Sequence, residues 1–366
     1  MTPDRFLRAG SPISSLVGVL SVVALSSCSG LNTEASLDPS ECTVPRQFIA
    51  DGGPGKDGIP ALTNPAMVSP TNPAAQYLRH DDRIIGLQIG DEFIAVPLNI
   101  GWWHEVVNLN RGSLRLSITH CPLTGSSLVF NRSAVDGAEF GVSGLLFMNY
   151  LMLYDRAEPS SLWPQMSRGA RCGSRAGTTL PMFPSVEMSW LGWRTLHPQT
   201  VVVSENTGHV RNYRSYPYGD YAREDNAGLL APAPAIDARR PPKERVLGIV
   251  LEERGSLALP FGAMRTRGAR ASIPVVVGGE SLVVLWDGAR ETAAAFAPRV
   301  DSQQLSLRVV GESWRDDETG SAWTVDGIAT DGPLAGQRLT QPAGSFVAYW
   351  FAWAAFYPDA ALWIAE

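Results

Sequence analysis

The sequence predicts a mainly β, α+β protein: two tandem, diverged β-rich repeats, each with short Trp-bearing helices. Three observations predict it. Apolar and polar residues alternate at the period of a strand, as in Leu114-Arg115-Leu116-Ser117-Ile118-Thr119. Gly and Pro punctuate these short stretches, and few segments have a helical period. The chain also repeats itself, as set out below. On this reading helices stay below about one third of the residues. Hydrophobic residues make up 45% and charged residues 18%, so the chain can bury a core and is not a disordered one. The net charge of -6 carries no basic field, which argues against a nucleic-acid partner.

Taken in order, the N-terminus reads as an export signal. Arg5 and Arg8 precede the apolar, small-residue stretch from Ser14 to Ala24. Leu25-Ser26-Ser27-Cys28 then resembles a bacterial lipobox, with Cys28 as the lipidated residue. Residues 1–27 are then a removed lipoprotein signal peptide and 28–44 a lipidated tether. The expected place is the bacterial cell envelope, on its periplasmic or extracellular face. The lipid anchor makes the membrane a partner. Residues 45–82, rich in Pro, Gly and Asp, form an N-terminal extension. The turn Gly52–Gly58 lacks the spacing of a phosphate loop.

Repeat 1 covers 83–204 and repeat 2 covers 245–366. Arg83-Ile84-Ile85-Gly86-Leu87 matches Arg245-Val246-Leu247-Gly248-Ile249. The pairs Ser161/Ser321, Trp163/Trp323, Trp190/Trp350, Trp193/Trp353 and Pro198/Pro358 are all 160 positions apart. Two Trp residues three apart lie on one face of a short helix, which the proline ends. Residues 205–244, with Pro241-Pro242 and an alternating Ala-Pro run, read as a Pro-rich linker or loop.

Duplication separates structure from chemistry. Shared Trp, Gly and Pro residues serve the common fold, while polar residues unique to one copy are free for other work. The unique set falls in repeat 1: His104, Glu105, His120, Cys121, Thr124, Ser126, Ser127 and Gln165. Residues 119–125 align with 272–278 of repeat 2, where only the glycine of Gly125 survives, as Gly278, and repeat 2 is degenerate. Cys121 sits at a strand–loop corner followed by Pro122. A thiol there needs a neighbouring imidazole or cation to ionise. His104 is the first candidate partner and His120 the second, although His120 should face away from Cys121. Trp102 to Val107 reads as a short helix bearing His104 and Glu105. Cys121, His104 and His120 are the candidate metal ligands, a set that would suit Cu or Zn. Cys121, His104, Glu105 and Gln165 are the candidate catalytic residues. Thr124, Gly125, Ser126, Ser127, Asp155 and Arg156 are the candidate binding residues, with the amides near Gly125 as an anion-binding concavity. Asp155 has a counterpart in Asp316, which favours a turn or ion-pair role. Setting Cys28 aside leaves three cysteines, an odd number. A Cys42–Cys172 pair would leave Cys121 as the free thiol.

The segments Lys56-Asp57-Gly58-Ile59-Pro60-Ala61-Leu62, His104-Glu105, Cys121-Pro122-Leu123-Thr124-Gly125-Ser126, Tyr154-Asp155-Arg156 and Ser161-Leu162-Trp163-Pro164-Gln165 together resemble the prokaryotic family called domain of unknown function 3179. The resemblance covers about residues 45–366. Some members of that family are labelled selenoproteins, which implies a redox-active or metal-binding chalcogen near the cysteine motif. No activity comes with it. Three functions follow from the residues: a thiol redox or metal-binding site at Cys121 with His104, a non-catalytic envelope protein binding a small molecule in an aromatic cleft, and a cysteine-nucleophile hydrolase or transferase with His104 as base.

Overall fold

The computed structural model describes residues 42–251, 254–342 and 344–365. The expected signal peptide, Cys28 and most of the tether lie outside the described residues. Strands take 40% and helices 12%, a mainly β fold.

The extension contributes three short strands, β1 (Ile49–Asp51), β2 (Leu62–Thr63) and β3 (Met67–Val68). Repeat 1 then opens with β4 (Arg83–Ile89), β5 (Glu92–Pro97) and α1 (Leu98–His104). It continues through β6 (Val106–Arg111), β7 (Leu114–Cys121), β8 (Ser126–Asn131), β9 (Phe140–Phe147), β10 (Tyr150–Asp155) and β11 (Leu162–Pro164). It closes with β12 (Val186–Ser189), α2 (Trp190–Leu196) and β13 (Val201–Val203). Repeat 2 follows the same order. Its first elements are β14 (Arg245–Val250), β15 (Ser256–Pro260), α3 (Phe261–Arg265), β16 (Arg270–Val277), β17 (Glu280–Asp287) and β18 (Thr292–Phe296). After β19 (Arg299–Val300) and β20 (Gln303–Gln304) come β21 (Leu307–Val310), β22 (Ser313–Asp316), β23 (Ala322–Trp323) and β24 (Ala329–Asp331). Its last elements are β25 (Ser345–Tyr349), α4 (Trp350–Phe356) and β26 (Ala361–Leu362).

The topologies coincide. In repeat 1 the sheet order is β12-β4-β5-β13, and in repeat 2 it is β25-β14-β15-β26, with a parallel last pair in each. The repeated Trp explains the repeated glycine. A Cβ at Gly86 would sit 2.4 Å from the Trp193 ring, and one at Gly248 would sit 2.0 Å from Trp353. Only a residue without a side chain lets each Trp lie flat on its sheet.

The repeats are interlocked rather than merely tandem. Trp190 and Trp193 of repeat 1 share a core with Leu285, Phe296, Trp314 and Trp323 of repeat 2. Trp350 and Trp353 of repeat 2 share one with Leu128, Phe130 and Trp163 of repeat 1. The hairpins reach across reciprocally. The Tyr349 N–H donates to the Thr124 carbonyl at 2.8 Å, and the Ser189 N–H donates to the Arg290 carbonyl at 2.9 Å. At the junction Arg83 and Arg245, the first residues of β4 and β14, share one oxygen of Glu187.

This topology corrects the sequence alignment of the candidate loop. Cys121 pairs with Ser126 across the β7–β8 turn, and Asp287 pairs with Thr292 across the β17–β18 turn. The counterpart of Cys121 is therefore Asp287, and residues 272–278 belong instead with β6 and the turn after it. The glycine misled the alignment, because Gly278 serves an earlier turn. The true partner of Gly125 is Glu291, which shares its left-handed backbone (φ +57° and +50°).

Two further expectations change. The helix expected over Trp102 to Val107 ends at His104, because Glu105 turns left-handed (φ +56°) and the β-branched Val106 and Val107 enter a strand. The stretch 205–244 holds no helix or strand, as a loop does, but it is not exposed throughout. Tyr213 and Tyr221 within it are buried, and the Asn149 side chain clamps it by accepting from the N–H groups of Leu230 and Ala231. A disulfide joins Cys42 to Cys172, tying the extension to repeat 1, and Cys121 is free. No helix among the described residues is long and apolar enough to cross a membrane.

Candidate functional site

Alternation along β7 settles which way each residue faces. Leu116 and Ile118 belong to one core and Cys121 to another. His120 follows the first set and packs against α1, where a Cβ on Gly101 would lie 2.8 Å from its own Cβ. Its Nδ1 is 3.1 Å from the Ser127 hydroxyl. Burial, aided by the Arg83 charge, pushes its pKa down to about 3, so it is neutral.

His104 is also committed. Its Nδ1 lies 2.7 Å from the Pro60 carbonyl, which can only accept, so Nδ1 carries the proton. Its Nε2 must then accept from the Tyr213 hydroxyl at 2.7 Å. Burial lowers its pKa to about 4. With both nitrogens occupied, His104 ties the extension and the tyrosine segment to α1 and is not free to act as a base. The expected Cu or Zn set of Cys121, His104 and His120 therefore does not fit. His104 is engaged, His120 faces the other core, and no group of three His, Cys, Asp or Glu side chains gathers among the described residues.

What surrounds Cys121 is a carboxyl and several phenols. The thiol is fully buried, 3.8 Å from the Asn149 carbonyl. Burial, and then the nearby Glu105 charge, push its pKa up to about 11. Glu105 is 6% exposed. Its backbone is used, since the N–H donates to Gly101 and the carbonyl accepts from His120. Its carboxyl has no hydrogen bond or ion pair among the described residues, and burial alone pushes its pKa up to about 8. At neutral pH both groups hold their protons. Tyr218 is near enough to feel the charge of both, and Tyr216, Tyr221 and Tyr349 that of Cys121. The Tyr221 hydroxyl donates to the Leu123 carbonyl at 2.9 Å. The Tyr216 hydroxyl is buried and has no partner among the described residues. Backbone strain gathers here too, at Glu105, Met148 and Asn149, all with positive φ. Such strain in non-glycine residues is typical of functional sites.

The hairpin is braced from behind. The Ser126 hydroxyl donates to Gln165 Oε1 at 2.6 Å, and Gln165 Nε2 donates to the Thr119 hydroxyl at 2.9 Å. The Thr124 hydroxyl lies 2.8 Å from that of Ser126. These polar atoms satisfy one another, so Gln165, Thr124 and Ser126 position the loop. Ser126 and Ser127 lie in the β8 ladder rather than in an open concavity. Gly125 packs on the Tyr349 ring, where a Cβ would come within 2.6 Å.

Asp155 and Arg156 belong to other arrangements. Asp155 accepts from Trp163 Nε1 at 2.6 Å, just as Asp316 accepts from Trp323 Nε1 at 2.9 Å. The pair is a shared structural device. Arg156 donates to Asp57 at 2.7 Å, and the Tyr154 hydroxyl donates to the same carboxylate. Sequence reasoning missed Tyr216, Tyr218, Tyr221 and Tyr349. The signal that could have found the first three is their density, with Tyr213, over residues 213–221 of a stretch read as exposed.

The fold defines a class: a mainly β protein of two repeats with the same sheet order and interlocked cores. The chain belongs to the family described as protein of unknown function (DUF3179), whose model matches residues 56–360. No curated protein and no solved structure matches it.

Proposed function

We propose that this chain is an exported, lipid-anchored envelope protein that binds a small, uncharged, hydrogen-bonding molecule at the Cys121–Glu105 site. One observation carries the reading: the carboxyl of the buried Glu105, pushed toward its neutral form by burial, has no hydrogen-bond partner among the described residues and lies near enough to the free thiol of Cys121 for its charge to be felt there. A buried polar group without a partner is costly, and native folds make it good with water, an ion or a ligand. A neutral carboxylic acid both donates and accepts. The Tyr216 hydroxyl adds a second unfilled group, and the tyrosine segment supplies aromatic walls. The signal sequence supports export, and the Cys42–Cys172 disulfide supports an oxidising compartment.

Thiol redox chemistry at Cys121 is the second reading, favoured by the free thiol and its carboxyl neighbour. It requires a bound group that brings the thiol down from about 11. The cysteine-nucleophile reading loses its base, because His104 is engaged at both nitrogens.

The test is native mass spectrometry of the full chain, purified from the envelope. The expected result is a non-covalent small molecule on the wild type that is lost in Glu105→Gln and in Tyr216→Phe, with Cys121 slow to alkylate. A bare wild-type chain whose Cys121 alkylates readily at neutral pH would overturn binding and favour thiol chemistry.

A further inference from the structure

Duplication exposes a second site, because the extension covers an edge in repeat 1 that repeat 2 leaves open. In repeat 1, β2 runs parallel to β6, with Leu62 opposite Val107 and Thr63 opposite Asn108. The Asn64 N–H donates to the Asn108 carbonyl at 2.8 Å, and the Asn110 N–H donates to Asn64 Oδ1 at 2.7 Å. Thr63 also donates to Glu139, on the approach to β9, at 2.8 Å. The segment thus lies between β6 and the start of β9.

The hairpin registers transfer this seat to repeat 2. Asn108 pairs with Ser117 and Pro274 pairs with Val283, each four residues back from the counterparts Cys121 and Asp287. Ile273, Pro274 and Val276 therefore stand where Val107, Asn108 and Asn110 stand. Among the described residues no strand pairs with the outer edge of β16. A groove of about 460 Å³ runs beside that edge, over the face that Pro274 and Val276 share with Val283 of β17, and is walled by Pro298, Leu305 and Leu307. Its far wall, leading into β21, corresponds to the approach to β9. Val276 is 68% exposed, although it is flanked by buried Val275 and Val277.

We propose that this groove binds an extended peptide segment of another polypeptide, added in parallel to β16 as Leu62-Thr63-Asn64 is added to β6. The register states what the peptide must offer. Pro274 has no N–H, but its carbonyl faces the open edge and accepts, as that of Asn108 does. The Val276 N–H needs an acceptor, which in repeat 1 is an asparagine side chain. The residue opposite Pro274, at the place of Thr63, faces the groove, so the peptide carries a small or apolar residue there and an Asn or Asp immediately after it. Proline on an edge strand discourages indiscriminate pairing, so recognition rests on those two features. The segment Leu62-Thr63-Asn64 is not itself the occupant, because it is already paired with β6.

The probe is a fluorescent peptide with the sequence of residues 59–66, IPALTNPA, titrated into the full chain. Saturable binding is expected. It should weaken about tenfold or more in Val276→Pro, which removes the outward N–H, and in Val276→Arg, which fills the groove, and the same loss should follow Asn→Ala in the peptide. Amide exchange should slow in β16 on binding. No saturable binding, or binding unchanged in both variants, would overturn the proposal. So would self-association that Val276→Arg abolishes, since it would assign the groove to a second copy.

Discussion

The β7–β8 and β17–β18 hairpins are the same piece of architecture put to different ends. Each follows a short helix and an outer strand, and each docks through a carbonyl onto the other repeat. In repeat 2 the corner residue is Asp287, whose carboxylate accepts from Arg270, from the Arg290 guanidinium, and from the N–H groups of Ala289 and Arg290. In repeat 1 the corner is Cys121, beside a carboxyl that nothing described completes. A buried charge with every partner present is a structural joint. A buried neutral acid with none is an unfinished contact. The duplicate shows what the fold needs at this corner, and what remains in repeat 1 is available to a ligand.

The largest expected effects are at the shared tryptophans. Trp193→Ala and Trp353→Ala should each cost about 3–5 kcal/mol in denaturant unfolding, because each empties a flat seat over its glycine. Trp193→Ala should cost about 1 kcal/mol more, because its Nε1–H also donates to the Thr200 hydroxyl while Trp353 Nε1 has no partner among the described residues; the reverse order would contradict this packing. Asp287→Ala should cost about 2–4 kcal/mol by removing the buried partner of two half-buried arginines, whereas Cys121→Ala should cost only about 1–2 kcal/mol. Equal costs would make Cys121 a structural residue like its counterpart.

Glu105 makes stability depend on pH. In the fold it keeps its proton up to about pH 8, while the unfolded chain releases its own near the ordinary value of 4.5. Between those values the native state binds the extra proton, so stability falls as pH rises and stays low above the window. Glu105→Gln should remove that fall, and the wild-type deficit relative to the variant should grow by on the order of 4 kcal/mol across it. Unfolding of both proteins at the two ends of the window measures this directly. The smallest effect is at the anchor of the tyrosine segment. Tyr213→Phe removes the donor to His104 and should cost about 1 kcal/mol.

Much of this was legible in the sequence. The Trp and Pro spacing marked the repeats, because packing residues survive duplication. Placing the unshared polar residues in repeat 1 directed attention to Cys121, and alternation along β7 put His120 on the opposite face. The rest depends on contacts that no spacing encodes. His104 meets a carbonyl 44 positions before it and a hydroxyl 109 positions after it, so its engagement cannot be read locally. The tyrosine segment carries the Pro and Gly of a linker, and only its tertiary packing makes it a wall. The alignment of residues 119–125 followed a glycine. The left-handed position is held by Gly125 in one copy and Glu291 in the other, a substitution that conceals the equivalence.

Glu105 is neutral and without a hydrogen-bond partner among the described residues, close enough to Cys121 for its charge to be felt there, and its own titration is the measurement to make. Carbon-detected NMR of the glutamate carboxyls, with Glu105→Gln to assign the signal, should show it titrating near 8. Titration near the ordinary 4.5 would mean a solvated or paired carboxylate, and the site described around it would be contradicted.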